Sequence, residues 1–216
     1  TVALTMVGGT LEVLLGIPMG VFGAWRAGSR WDRGIQIFAA LGISVPGFWL
    51  GFILILAFAV YLRWFPVIGY VSVTEDLFGW LKSITLPVSL LAISGSSVII
   101  RMTRGSILEV LREDYIRTAR AKGLANKPVL FRHALRAGAI PIITVIGTLA
   151  GALITGVVVT ETVFTIPGLG RLVAETVQNR DFPVVQSMLM LLASFYVFIN
   201  LMVDLAYVCF DPRVRL

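Results

Sequence analysis

The densest chemistry in the chain is cationic. From Asp114 to Pro141 the sequence reads DYIRTARAKGLANKPVLFRHALRAGAIP, with six Lys or Arg residues against one acid. Small residues alternate with cations across Thr118-Ala119-Arg120-Ala121-Lys122-Gly123, which lets another surface approach the backbone closely. The apolar residues of the segment are also patterned. Ile107, Leu111, Tyr115 and Ala119 recur every four residues and predict that a helix continues from the preceding span into this segment. Gly123 fits a helix stop, because glycine takes the left-handed conformation without cost. Asn126 is placed to cap a second helix and Pro128 is tolerated in its first turn. In that second helix Leu130, Phe131, Ala134 and Leu135 share one face, and Arg132 and Arg136 share another with His133 beside them. The expected product is a helix–Gly turn–helix hairpin, apolar on one flank and cationic on the other. A solvated basic loop needs charge but no such pattern, so the chemistry indicated is protein docking.

Bond-making chemistry finds little support. His133 is the single histidine and Cys209 the single cysteine, which leaves no metal site, no disulfide and no CxxC knuckle. The chain has no G-x-x-x-x-G-K-[ST] phosphate loop, so it does not bind ATP in that way. The spans carry no HExxH, Ser/His pair or facing aspartates of an intramembrane enzyme. One charge does stand out: Glu12 lies near the middle of an apolar run, where a carboxylate costs on the order of 2.5 kcal/mol or more unless paired or hydrated. It is expected either to face an aqueous path or partner helix, or to be protonated or paired with a residue from elsewhere.

The elements that must position these residues are membrane helices. Hydrophobic residues make up 57% of the 216, charged residues 14%, and the mean hydropathy is +0.91. Soluble domains average about 45–50% apolar and about 25% charged, and here the apolar residues form runs near the 20 or so needed to cross a bilayer. The pI near 10 reflects loop charge in a multi-spanning chain, so nucleic acid is not expected as a partner. Five spans are predicted, at about 2–25, 35–62, 84–104, 139–162 and 184–208, followed by a short tail over 209–216. Lys and Arg in alternate connecting segments number fourteen on one side and four on the other. Positive charge collects inside, which puts the basic hairpin and the C-terminus in the cytoplasm and Thr1 outside. That topology, with Thr1 in place of Met, points to five spans of an expected six, the first span missing.

Three small-xxx-small pairs, Gly16/Gly20, Gly47/Gly51 and Gly147/Gly151, let helix backbones approach. Pro18, Pro46, Pro87 and Pro141 sit in or at the start of spans and can kink them. Ser94, Ser96 and Ser97 around Gly95, with Thr144, Thr148 and Thr155, form polar patches that either line a translocation path or bond their own i−4 carbonyls. Arg101 and Arg104 are expected to snorkel toward lipid phosphates, and Asp204 to pair with a basic loop residue. Between the fourth and fifth spans, Thr165 to Pro183 carries the turn-forming Ile166-Pro167-Gly168-Leu169-Gly170 and then an amphipathic stretch around Val173 and Val177.

The hairpin resembles the EAA loop of ATP-binding-cassette importer permeases, in its dipeptide/oligopeptide branch. That loop reads D/E-Y-x-R-T-A-R-A-K-G, then R-H-A-L-R, then I-P, and Asp114–Gly123, Arg132–Arg136 and Ile140-Pro141 match it. Arg117 stands where the broader family usually has Glu, and Arg136 near its usual Pro, both as in the peptide branch. Gly16-Ile17-Pro18-Met19-Gly20 with Asp32-Arg33, Ser44–Gly51, Thr85-Leu86-Pro87, Glu161–Gly170, Arg180–Gln186 and Asp211-Pro212-Arg213 are similar to the same family, in order along the chain.

The resemblance implies an all-α integral membrane protein with the type I ABC importer (MetI-like) transmembrane domain, multi-pass in a bacterial or archaeal plasma membrane. It implies a second, homologous permease subunit, two ATP-binding-cassette ATPase subunits that use ATP and Mg, and an extracytoplasmic substrate-binding protein, all amid membrane lipids. No cofactor is expected on this chain itself. Asp114, Tyr115, Arg117, Thr118, Ala119, Arg120, Ala121, Lys122, Gly123, Leu124, Arg132, His133 and Arg136 would contact the ATPase. Pro167, Gly168, Gly170 and Asp181 would face the binding protein. The family carries dipeptides, oligopeptides, nickel chelates, glutathione and some sugars, and the residues here do not choose among them. The competing expectation, an ion-gradient-driven transporter or channel, calls for inverted repeats with broken helices and paired intramembrane charges, and no convincing repeat is visible.

Overall fold

The computed structural model describes residues 1–67, 69–125 and 128–210. Helices α1 (Val2–Trp25), α2 (Arg30–Ser44), α3 (Gly47–Leu54, continued as a π-helical stretch over Ile55–Tyr61) and α4 (Leu77–Val110) form the first half. A short α5 (Asp114–Ala121) and α6 (π-helical over Val129–Ala134, α-helical over Leu135–Ala137) make the hairpin. The second half holds α7 (Ala139–Val163), α8 (Leu169–Gln178) and α9 (Phe182–Phe210). No strand occurs among the described residues. Asn126, expected as a cap, and Asp211-Pro212-Arg213 lie outside the described residues, as do the side chains of Asp204 and Arg132.

α4 is the axis of the bundle, and glycine decides how closely its neighbours lie. On α1, Gly8, Gly16 and Gly20 face α4; a Cβ at Gly16 would stand 2.6 Å from Ile99 Cβ, and one at Gly20 2.6 Å from Thr103 Cβ. Without side chains there, van der Waals contact between backbones holds the pair in the absence of a hydrophobic driving force between membrane helices. Gly42 of α2 packs on the Ser97 hydroxyl in the same way, and Gly51 of α3 sits 3.0 Å from Val163 Cγ1 of α7 by the same measure. Gly151 of α7 receives the Tyr196 ring of α9, and Gly147 is buried on the same helix. Gly47 meets nothing within 4 Å, so the Gly47/Gly51 pair packs through one member only. Inside the bundle Leu4, Leu54, Leu86, Leu90, Leu153 and Val157 form one apolar core.

The second expected span, 35–62, is not one helix. α2 and the α3 segment meet at a 110° bend. Pro46 is the cause: it lacks an N–H and forces Val45 into extended backbone (φ −84°, ψ 124°), so α2 ends with Val45 N–H donating to Leu41 O at 3.0 Å. α4 starts seven residues earlier than expected because Asp76 caps it, accepting from Phe78 N (2.9 Å) and Gly79 N (3.0 Å).

Candidate functional site

The expectation of one unbroken helix from the third span into Tyr115 fails. α4 stops at Val110, Leu111–Glu113 turn, and α5 starts afresh with Asp114 in its first turn, where an acid suits the positive end of a helix. Arg112 N donates to Glu109 O (3.0 Å) and Glu113 N to Val110 O (3.1 Å) through the turn. The redirection buries Ile116 completely and leaves Tyr115 48% exposed, so the inward residue of α5 is Ile116. α5 ends where Gly123 adopts φ +85° and Leu124 N donates to Ala119 O at 3.2 Å. Gly123 therefore stops α5, as its tolerance of the left-handed conformation predicted.

The return helix grips the bundle. Leu130 and Ala134 pack with Val21 and Ala24 at the end of α1 and Ile107 at the end of α4. Ser106 Oγ of α4 donates to Gly138 O at 3.0 Å, directly beneath the start of α7. The π-helical pitch over Val129–Ala134 turns Val129 inward and Phe131 outward, 56% exposed, which corrects the expected face that joined Phe131 to Leu130 and Ala134. The outer flank thus presents Arg117, Thr118, Arg120, Ala121, Lys122, Gly123 and Arg136, with Tyr115, Leu124 and Phe131 among them, while Ala119 and His133 are half-buried. Asp114 and Arg117 touch at 3.4 Å, both widely exposed, a pair that contributes little to stability.

Just inside this end of the bundle, Asp32 and Arg104 form a two-pronged ion pair (Nε to Oδ1 2.6 Å, Nη2 to Oδ2 2.7 Å). Gly28 N also donates to Asp32 Oδ2 at 2.8 Å. Arg104 was expected to snorkel to phosphates; a buried carboxylate, 3% exposed, offers a fixed partner instead, while Arg101 is exposed. Asp32→Asn should lower the stability of the solubilised protein by about 2 kcal/mol, since it leaves Arg104 half-paired. Adding Arg104→Gln should recover part of that loss, read as the melting temperature of the single and double variants.

At the opposite end, Gly168 and Gly170 fold around the fully buried Glu161 carboxylate, which accepts from Gly170 N (2.8 Å) and Arg171 N (3.1 Å) and so caps α8. Pro167 and Asp181 are exposed. Of the polar patches, Ser94 and Thr155 line a cavity between α1, the α2/α3 bend, α4 and α7. Ser96 and Ser97 are fully buried in helix contacts and donate to Ile93 O. Thr144 and Thr148 lie on an exposed face of α7 and bond Ile140 O (2.9 Å) and Thr144 O (3.0 Å). Asp32, Glu161, Gly42 and Gly95 were missed as positioning residues.

A helical membrane bundle with a charged hairpin clamped to one end is the build of a transport subunit worked by a partner. The fold is similar to a chain in the solved structure "Inward facing conformations of the MetNI methionine ABC transporter", with a TM-score of 0.75 at 19% identity over 97% of this chain and 92% of that one. The chain belongs to the family of binding-protein-dependent transport system inner membrane components, whose profile matches residues 16–216. It is 48% identical over its whole length to the "Probable peptide ABC transporter permease protein y4tP" of Sinorhizobium fredii, covering 69% of that protein. It is 39% identical to the di/tripeptide transport system permease protein DppB of Pseudomonas aeruginosa, over 98% of this chain and 72% of the relative. The oligopeptide transport system permease protein AppB of Bacillus subtilis is also 39% identical, over all of this chain and 69% of its own. The chain is a permease subunit of an ABC importer, an inner-membrane component.

Proposed function

We propose that this subunit carries short peptides inward, paired with a second permease subunit and driven by two ATPase subunits that use ATP and Mg. The observation that carries the reading is similarity, over nearly all of this chain, to di/tripeptide and oligopeptide permeases combined with a hairpin whose one flank packs on the bundle while the other is exposed. The ATPase seats on the free flank, where Arg117, Arg120, Lys122 and Arg136 surround Tyr115, Leu124 and Phe131. Cations steer the encounter and the apolar groups hold it. Closure of the ATPases pushes on α5 and α6, and the Leu130–Ala134–Ile107–Val21 cluster passes the motion to α1 and α4 together. The turn at Leu111–Glu113 lets the hairpin tilt as a unit. The excess of Lys and Arg on this side supports a cytoplasmic hairpin and C-terminus, which leaves Pro167 and Asp181 facing the binding protein outside.

The test is transport by the assembled complex. Proteoliposomes holding both permease subunits and the ATPases, supplied with loaded binding protein, should accumulate labelled tri-alanine only when ATP is on the ATPase side. Equal accumulation without ATP, or none with it, contradicts the proposal.

A further inference from the structure

Glu12 is 4% exposed, yet among the described residues nothing donates a hydrogen bond to its carboxylate and no cation pairs with it. Its place is built by glycine: the carboxyl group lies against Gly95 of α4, where any Cβ would collide with it. From there it lines a cavity of about 500 Å³ whose walls are α1, α4, α7 and the bend between α2 and α3. The lining is mostly apolar, and Ser94, Thr155 and Thr160 join Glu12 as its polar side chains. Such a volume suits a small organic ligand, and a few convergent polar groups in an apolar wall are how such sites fix orientation.

The bend adds a second sign of charge. Gly47 and Phe48, the first two residues of α3, line the same cavity. The bonds at that end run from Trp49 N and Leu50 N to Pro46 O, so Gly47 and Phe48 belong to the positive end of the helix, whose first amides have no intrahelical acceptor. A carboxylate on one wall and a helix N-terminus on another match a molecule with an ammonium group and a carboxylate, and a broken membrane helix commonly brings such ends to a solute.

We infer that Glu12 is a substrate-contacting residue, the counter-charge for the ammonium group of a peptide in transit, with the peptide's carboxylate directed to the α3 end of the cavity. This rests on the peptide reading of the subunit. It accounts for an unpaired carboxylate within the bilayer: the partner is the cargo, present for part of each cycle. A purely structural role, filling the slot at Gly95, needs the shape of the side chain and not its charge.

Glu12→Gln keeps that shape and removes the charge, and it separates the two roles in the complete complex. Uptake of tri-alanine should fall about tenfold, the weight of one charged hydrogen bond, while ATP hydrolysis stimulated by loaded binding protein stays within about twofold. Glu12→Asp should keep most of the uptake. N-acetyl tri-alanine, lacking the ammonium, should pass wild type and Glu12→Gln at the same rate, and a lysine-containing N-acetyl peptide tells a side-chain ammonium from the terminal one. Unchanged tri-alanine uptake in Glu12→Gln overturns the inference, as does a parallel fall in uptake and hydrolysis. A wild-type complex that carries neither peptide fails at the earlier step and removes the peptide reading itself.

Discussion

Reversing Arg120 and Lys122 to glutamate together should cut substrate-stimulated ATP hydrolysis and uptake at least about tenfold, with the subunit still inserted in the membrane. Both side chains are exposed, Arg120 in the last turn of α5 and Lys122 at its C-cap, and among the described residues neither makes a side-chain hydrogen bond or ion pair. The hairpin is anchored elsewhere, through Ile116, Leu130, Ala134 and the Ser106–Gly138 bond. Removing a rim charge mainly slows encounter, but placing like charges opposite one another costs several kcal/mol. Each 1.4 kcal/mol is a factor of ten in affinity, so two reversals suffice to unseat the ATPase. The measurements are hydrolysis in proteoliposomes, membrane content of the variant, and ATPase recovered with it. Full hydrolysis in the double variant would remove this flank as the docking surface.

Gly20→Val should strongly destabilise the packing of α1 on α4. A Cβ alone at this position would lie 2.6 Å from Thr103 Cβ and 3.0 Å from Ile100 O, and the latter is backbone that cannot rotate away. Overpacking a tight contact costs about 1–3 kcal/mol, and valine adds two methyl groups beyond the Cβ. α1 must then move off α4, which opens the Val21, Ala24 and Ile107 cluster that holds the hairpin. The expected outcome is loss of most folded protein from the membrane and a lower melting temperature for what remains. Gly47→Ala is the control: it belongs to the same sequence pattern but has open space around it, and its melting temperature should stay at the wild-type value.

The contrast between those two glycines marks where sequence reading stops. Spacing identifies a residue that permits close approach, but whether a neighbour arrives depends on a helix far along the chain. Local signals were legible for the same reason that others were not. Gly123 as a stop and Pro46 as a disruption follow from backbone chemistry at one position, and both appear in the structure. The depth of the 110° bend does not follow, because it depends on where α3 finds Leu90 and Val163 to pack against. The four-residue spacing of Ile107, Leu111, Tyr115 and Ala119 looked like a continuous helix, yet three residues of turn leave the spacing intact while changing which residue faces inward. Asp32 and Arg104 are 72 positions apart, and nothing local to either one announces the other. Glu12 was visible as an anomaly of charge, and only the fold supplied the cavity beside it.

α4 is 34 residues long, which at 1.5 Å per residue makes a rod of about 51 Å. The hydrocarbon layer is about 30 Å thick, so some 20 Å of rod stands clear of it. A tilt of about 5° about one end would sweep the other through roughly 4 Å, less than the rise of one helical turn. By the same lever arm, a small rotation at the root of the hairpin is magnified at the far end of the rod.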